Sequence, residues 1–204
     1  MDNIYHRFLD LPFEIPRPEI TYTVPDKLRH DYLPESPFSE MQRFLRSLNL
    51  VCTLHEVFYT PPNGGAMPIH LDKPVIDNRV KINMTWGPEE GRTRWWKLKD
   101  GINMDDVKHP TDLNEYKAHD FSDHKHDNLL FSDENCDMVY EASTNRPSLL
   151  NVGQLHSTYN PGDVGRWTVC YHIGWRIPTM HDGNDNALKF DEALKVFGPI
   201  ILDS

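Results

Sequence analysis

The spacing of apolar residues changes period along the chain, and each period predicts an element. Phe38, Met41, Leu45 and Leu48 recur at three- and four-residue intervals and form one stripe of a helix. Ser36 offers a cap, Pro37 suits the first helical position and Asn49 offers a stop. From Leu50 the period becomes two. Leu50–Tyr59 and Met67–Asp72 read as strands, and so do Thr93–Leu98, Met138–Ala142 and Ser148–Gln154. Alternation is cleanest where Val80, Ile82, Met84 and Trp86 interleave with Lys81, Asn83 and Thr85. It is equally clean where Trp167, Val169, Tyr171 and Ile173 interleave with Arg166, Thr168, Cys170 and His172. A closing helix is predicted over Phe190–Phe197, with Gly198 just past its end.

Short strands at this density, separated by turns such as Pro61–Gly65 and Asn160–Asp163, predict a mainly β jelly roll with a few flanking helices. Two stretches stand apart. Residues 1–35 are proline-rich, and Phe13–Pro25 reads as an extended arm or edge strand because its prolines exclude helix. Residues of about 100–136 are dominated by Asp, His, Lys and Asn. They read as an insertion between core strands: a lid, a binding loop or a mobile flap near the site. The chain is expected to be one domain, 1–204, with its core at about 50–176.

Composition narrows the function classes. With 21 Lys+Arg against 31 Asp+Glu, the net charge is −10. This argues against binding nucleic acid, which calls for a basic face. No apolar run reaches the ~18–20 residues of a membrane span, and the first sixteen residues lack the apolar stretch of a secretory signal. Three widely spaced cysteines, Cys52, Cys136 and Cys170, do not make a disulfide framework, so a cytoplasmic protein is expected. The Asp-rich insertion, with Asp105, Asp106, Asp112, Asp120, Asp123 and Asp127, fits either a solvated loop or a surface facing a cationic partner.

The 11 histidines are the place to look for chemistry. His70 and Asp72 are two residues apart in a predicted strand and so share a face, which supplies an imidazole and a carboxylate side by side. An HxD alone is weak evidence of a site. Much later, an apolar approach from Leu149 ends at His156. The turn at Asn160–Asp163 is read as reversing the chain, so that Arg166, ten residues on, enters at the head of the neighbouring strand with its side chain inward and Thr168 on the same face. A guanidinium beside a hydroxyl suits a carboxylate, because arginine donates a planar fork of hydrogen bonds.

This order (HxD, distal His, Arg ten residues on, Thr two further) resembles the Fe(II)- and 2-oxoglutarate-dependent oxygenases, whose core is a double-stranded β-helix. The strands Val80–Trp86 and Arg94–Lys97 look like those that follow HxD in the phytanoyl-hydroxylase-like and phage-type members. The resemblance spans roughly residues 50–176. It implies that His70, Asp72 and His156 bind Fe(II), that Arg166 and Thr168 bind the far carboxylate of 2-oxoglutarate, and that Asn83 touches the cosubstrate. Two imidazoles and one carboxylate suit Fe(II) and leave three adjacent positions for 2-oxoglutarate and O2. Relatives that halogenate carry a small residue in place of the carboxylate, so Asp72 implies a hydroxylase. Its substrate would be an amino acid, a peptide side chain or another small molecule.

Two other classes compete. A cupin-like metalloenzyme without 2-oxoglutarate would use the histidines but has no reason for Arg166. A non-enzymatic jelly-roll binding protein has no reason for the ordered set at all. Among the other singled-out residues, His124 and His126 read as part of a solvated loop, and His172 shares the parity of Arg166. His55 and Tyr59 share a face with Val57, where packing competes with a place in the site. The five tryptophans read as core and sheet-surface residues, with the adjacent Trp95 and Trp96 facing opposite ways.

Overall fold

A computed structural model describes residues 3–19, 29–33, 39–73, 75–107, 109–110, 129–176 and 186–202. In chain order the elements are β1 (His6–Leu9), β2 (Arg29–Leu33), α1 (Glu40–Ser47), β3 (Leu50–Thr60), β4 (Gly65–Leu71), β5 (Val80–Trp86) and β6 (Arg92–Leu98). Then come α2 (Met104–Val107), β7 (His109–Pro110), β8 (Leu129–Phe131), β9 (Cys136–Ala142), β10 (Ser148–Asn151) and β11 (His156–Asn160). The last are β12 (Arg166–Trp175), α3 (Phe190–Phe197) and β13 (Ile201–Leu202). Among the described residues, no helix is long and apolar enough to cross a membrane.

The strands form two antiparallel sheets, of order β13-β1-β10-β5-β12-β3-β2 and β7-β8-β4-β11-β6-β9. Core strands alternate between sheets except from β6 to β9, which stay in the smaller one: β3, β5, β10 and β12 build the larger sheet, and β4, β6, β9 and β11 belong to the smaller. This interleaving is the double-stranded β-helix, or jelly roll. The proline-rich arm contributes β1, which pairs with β10 and β13, and β2, which lines the β3 edge.

The alternation in β12 and β5 has an unusual use. The odd residues of β12, Trp167 to Ile173, join Val57, Val80 and Ile82 in a core on the outer face of the larger sheet, closed by Leu45 of α1 and Phe197 of α3. Each fully buried side chain of this size contributes roughly 1.5–3 kcal/mol. Burying the apolar face outside leaves the polar residues of both strands, even-numbered in β12 and odd-numbered in β5, to face the smaller sheet.

Several boundaries differ from the sequence reading. The cap of α1 is Ser39, whose side chain accepts from the Gln42 backbone N–H. The proposed cap at Ser36, with Pro37 and Phe38, lies outside the described residues. Asn49 does stop the helix, at φ 60°. Gly198 is right-handed (φ −43°) and continues α3 into a 3-10 turn, because Pro199 and Ile200 carry the chain straight into β13. The stretch after Asn151 turns, and His156 opens a strand of its own. The predicted insertion is anchored at both described flanks. β8 pairs with β4 across His70 and Leu71, Cys136 opens β9, and Met104 and Val107 pack on a cluster of Ile69, Leu71 and Phe131. The rest of the predicted flap, including His124 and His126, lies outside the described residues.

Candidate metal centre and adjoining cavity

His70 and His156 are direct cross-strand partners on β4 and β11, with ring centroids 4.2 Å apart. A bulge creates this alignment. Between the pairs His70↔His156 and Met67↔Thr158, β4 advances three residues while β11 advances two. Met67 and His70 therefore both line the interior cavity, whereas Pro68 and Ile69 line a groove on the outside of the sheet. Pro68, which has no N–H for a ladder, sits where a strand tolerates it.

Both imidazoles are held in one tautomer. Nδ1 of His70 donates to the Pro68 carbonyl at 2.9 Å, and Nδ1 of His156 donates to the Gln154 carbonyl at 2.9 Å. A carbonyl only accepts, so each Nδ1 carries a proton, and in the neutral ring this leaves the lone pair on Nε2. The two Nε2 atoms converge on Asp72 Oδ1, at 3.4 Å from His70 and 3.9 Å from His156. The candidate ligand atoms of the three residues all lie within 4.8 Å of one another. Burial, and then the neighbouring His70, push His156 down to about 3, so it is a neutral donor at physiological pH.

Asp72 sits one residue beyond β4. Burial would raise its pKa, but Lys81 above all, together with the two histidines, holds it well below the usual carboxylate range. Lys81 Nζ lies 2.8 Å from Asp72 Oδ2 and 2.9 Å from Glu56 Oε2, and it is 4% exposed. Burial would lower the lysine, but the two carboxylates raise it above its ordinary value. His172 Nε2 closes the row at 2.6 Å from Glu56 Oε2. A file of polar groups thus runs from the half-buried His172 through Glu56 and Lys81 to Asp72.

Arg166 is 1% exposed. One of its terminal nitrogens, Nη2, donates to Thr144 Oγ1 at 2.9 Å and reaches Thr93 Oγ1 at 3.4 Å. The other, Nη1, is buried with no hydrogen-bond partner, and among the described residues no carboxylate pairs with the guanidinium. Burial pushes it down to about 10, so it remains charged at neutral pH. Thr168 Oγ1 lies 3.0 Å from Thr85 Oγ1, which lies 2.8 Å from Thr144 Oγ1, so hydroxyls link Thr168 to Arg166. Asn83, with an unpartnered Oδ1, lines the cavity with His70, His156, Lys81, Thr93 and Thr168. Met67, Leu150 and Val152 supply its apolar lining.

The sequence reading placed Arg166 on the strand neighbouring His156, after a chain reversal. The structure instead sends the chain from the smaller sheet to the larger, so the histidines and the arginine face the interior from opposite walls. Asn160, fully buried, fixes this crossing through bonds to the Thr60, Pro61 and Val164 carbonyls. Lys81, Glu56, Thr85, Thr93 and Thr144 were not singled out from sequence. The one available signal was that Lys81 shares strand parity with Asn83 and Thr85. His55 and Tyr59 lie on the outer face, stacked on Tyr171 at 4.4 Å and packed against Trp167 at 5.0 Å. Trp95 is fully buried, while Trp96 faces outward with Nε1 on Ser157 Oγ.

No family model matches the chain, and no curated protein matches it by sequence. Among solved structures, an oxalate oxidase in complex with the substrate analogue glycolate is 12% identical with a TM-score of 0.34, covering 85% of this chain and 66% of that one. A second oxalate oxidase structure is 12% identical with a TM-score of 0.33, covering 93% and 86%. An apo non-heme monooxygenase is 13% identical with a TM-score of 0.30, covering 72% and 57%. At these scores the likenesses carry no argument, and the fold assignment stands on strand order.

Proposed function

We propose that this chain is a single-domain Fe(II)- and 2-oxoglutarate-dependent dioxygenase, a hydroxylase of an amino acid, a peptide side chain or another small molecule. The observation that carries this reading is Arg166. A buried guanidinium with no counter-charge among the described residues is costly, and this one, with an unpartnered Nη1 and with Nη2 against Thr93 of the cavity wall, is suited to an anion. A dicarboxylate that also reaches the metal gives it a purpose; a cosubstrate-free metalloenzyme or a binding module does not.

The donor set fits Fe(II): two imidazoles locked in the metal-ready tautomer and one carboxylate held ionised. When bound, iron with 2-oxoglutarate and O2 supplies oxidative decarboxylation to succinate and CO2, coupled to hydroxylation of a C–H bond. His70, Asp72 and His156 hold the ion. Arg166 and Thr168 receive the far carboxylate. Asn83, on the cavity wall, would touch the cosubstrate. Met67, Leu150 and Val152 exclude water from the space between.

Anaerobic titration tests this. Fe(II) and 2-oxoglutarate together should give a weak visible charge-transfer band that neither gives alone. His156→Ala should lose the band and stoichiometric iron binding while keeping its circular dichroism. Iron binding without any response to 2-oxoglutarate would overturn the proposal in favour of the cosubstrate-free class.

A further inference from the structure

The two oxygens of Asp72 have different surroundings. Oδ1 faces both histidine Nε2 atoms, at 3.4 and 3.9 Å, whereas Oδ2 faces the Lys81 ammonium at 2.8 Å. We infer that Lys81 is a positioning residue for the metal centre: it keeps Oδ2 away from the ion, so that Asp72 ligates through Oδ1 alone and one further coordination position stays open. This rests on the metal reading proposed above.

The arrangement of Lys81 supports such a restraint. Its ammonium is tied from the other side by Glu56 Oε2 at 2.9 Å, and Glu56 is in turn held by His172 at 2.6 Å. An ammonium anchored twice does not follow the carboxylate if Asp72 swings toward a metal ion. Its backbone is fixed as firmly, since Lys81 pairs with Leu150 on one side and His172 on the other in the middle of the larger sheet. A carboxylate binds metals through one oxygen or two, and the second mode takes up a position that a chelating cosubstrate and O2 require. Simple neutralisation of two buried carboxylates would also explain a lysine here. The two accounts differ in what happens to the metal when Lys81 is removed.

The test counts water on bound Mn(II) by water-proton relaxation, without cosubstrate. Three protein ligand atoms leave three coordinated waters on the native protein. Lys81→Met combined with Glu56→Leu removes the lysine together with one of its two carboxylates, and the bound Mn(II) neutralises the remaining one, Asp72. That variant should bind Mn(II) and lose one water, a fall of about a third in inner-sphere relaxivity. Lys81→Met with Glu56→Gln, which keeps a polar group at 56, supplies the same measurement should the first variant fail to fold. Retention of three waters in a folded, metal-binding variant overturns the role of Lys81 and leaves the triad standing. A native protein that binds neither Mn(II) nor Fe(II) overturns the metal reading itself.

Discussion

Arg166→Met separates the cost of the buried guanidinium from its use. Burial pushes Arg166 down to about 10. Its folded value lies below its unfolded one, so the charged group opposes folding at every pH below about 10, and the penalty fades only above that. At about 1.4 kcal/mol per pKa unit, the penalty at neutral pH is roughly 3 kcal/mol. Methionine removes it and fills similar space, at the loss of the bonds to Thr144 and Thr93. Thr144 keeps Thr85 as a partner. Without cosubstrate the variant should therefore match the native protein or exceed it by up to ~3 kcal/mol. Cosubstrate reverses the order. Truncating one partner of a buried charge pair typically costs about 2–5 kcal/mol, so 2-oxoglutarate should bind at least roughly 30-fold more weakly. At a concentration of about 100 times the native Kd, 2-oxoglutarate stabilises the native protein by about 2.7 kcal/mol and the variant by less than about 1. Anaerobic urea unfolding of the Fe(II)-loaded proteins, with and without 2-oxoglutarate, measures both quantities. A variant less stable than native in the absence of cosubstrate, yet stabilised as strongly by it, would refute the argument.

Two further outcomes follow from single contacts. His6 is buried against Phe8 and Ser148, and burial, then Arg7, lower it to about 4 from its ordinary 6.5. Its contribution is intact above pH 6.5 and is lost as pH falls toward 4, so native stability should drop by about 3 kcal/mol more over this window than that of His6→Gln; equal slopes in urea unfolding at pH 7 and pH 4 would contradict this. A Cβ on Gly91 would lie 3.0 Å from both Cδ and Nε of Arg166. Gly91→Ala should therefore displace the guanidinium and weaken 2-oxoglutarate several-fold while leaving Fe(II) affinity unchanged, as read by anaerobic titration.

What the sequence revealed and what it hid have physical causes. β5 and β12 were legible because each keeps one face wholly apolar, so strict alternation survives along both strands. The two histidines and Asp72 were legible because a short polar motif on an apolar background is conspicuous. The bulge in β4 was not, since it depends on pairing, although Pro68 marked the spot. Lys81 and Glu56 escaped because each looks like an ordinary polar position in its own strand; their meaning comes from a contact across the sheet. β8 was hidden because Leu129–Phe131 is too short to show a period after a long polar run. The place of Arg166 was misjudged because a turn reads the same whether it reverses the chain within a sheet or carries it to the opposite one.

That crossing makes the barrel a gauge. On the proposed reading, the iron end of the cosubstrate is held by one sheet and the carboxylate end by the other, so no hydrogen-bonded ladder sets the distance between them. The distance is set by the thickness of the sandwich, about 10 Å between packed sheets. The side chains wedged into it, fully buried Trp95 and Leu150 with Val152 beside them, act as the spacers. Selection for the length of the diacid is then a property of core volume. A diacid one methylene shorter would satisfy one wall at a time, and resizing Leu150 would shift the preferred length without altering any residue that binds iron or carboxylate.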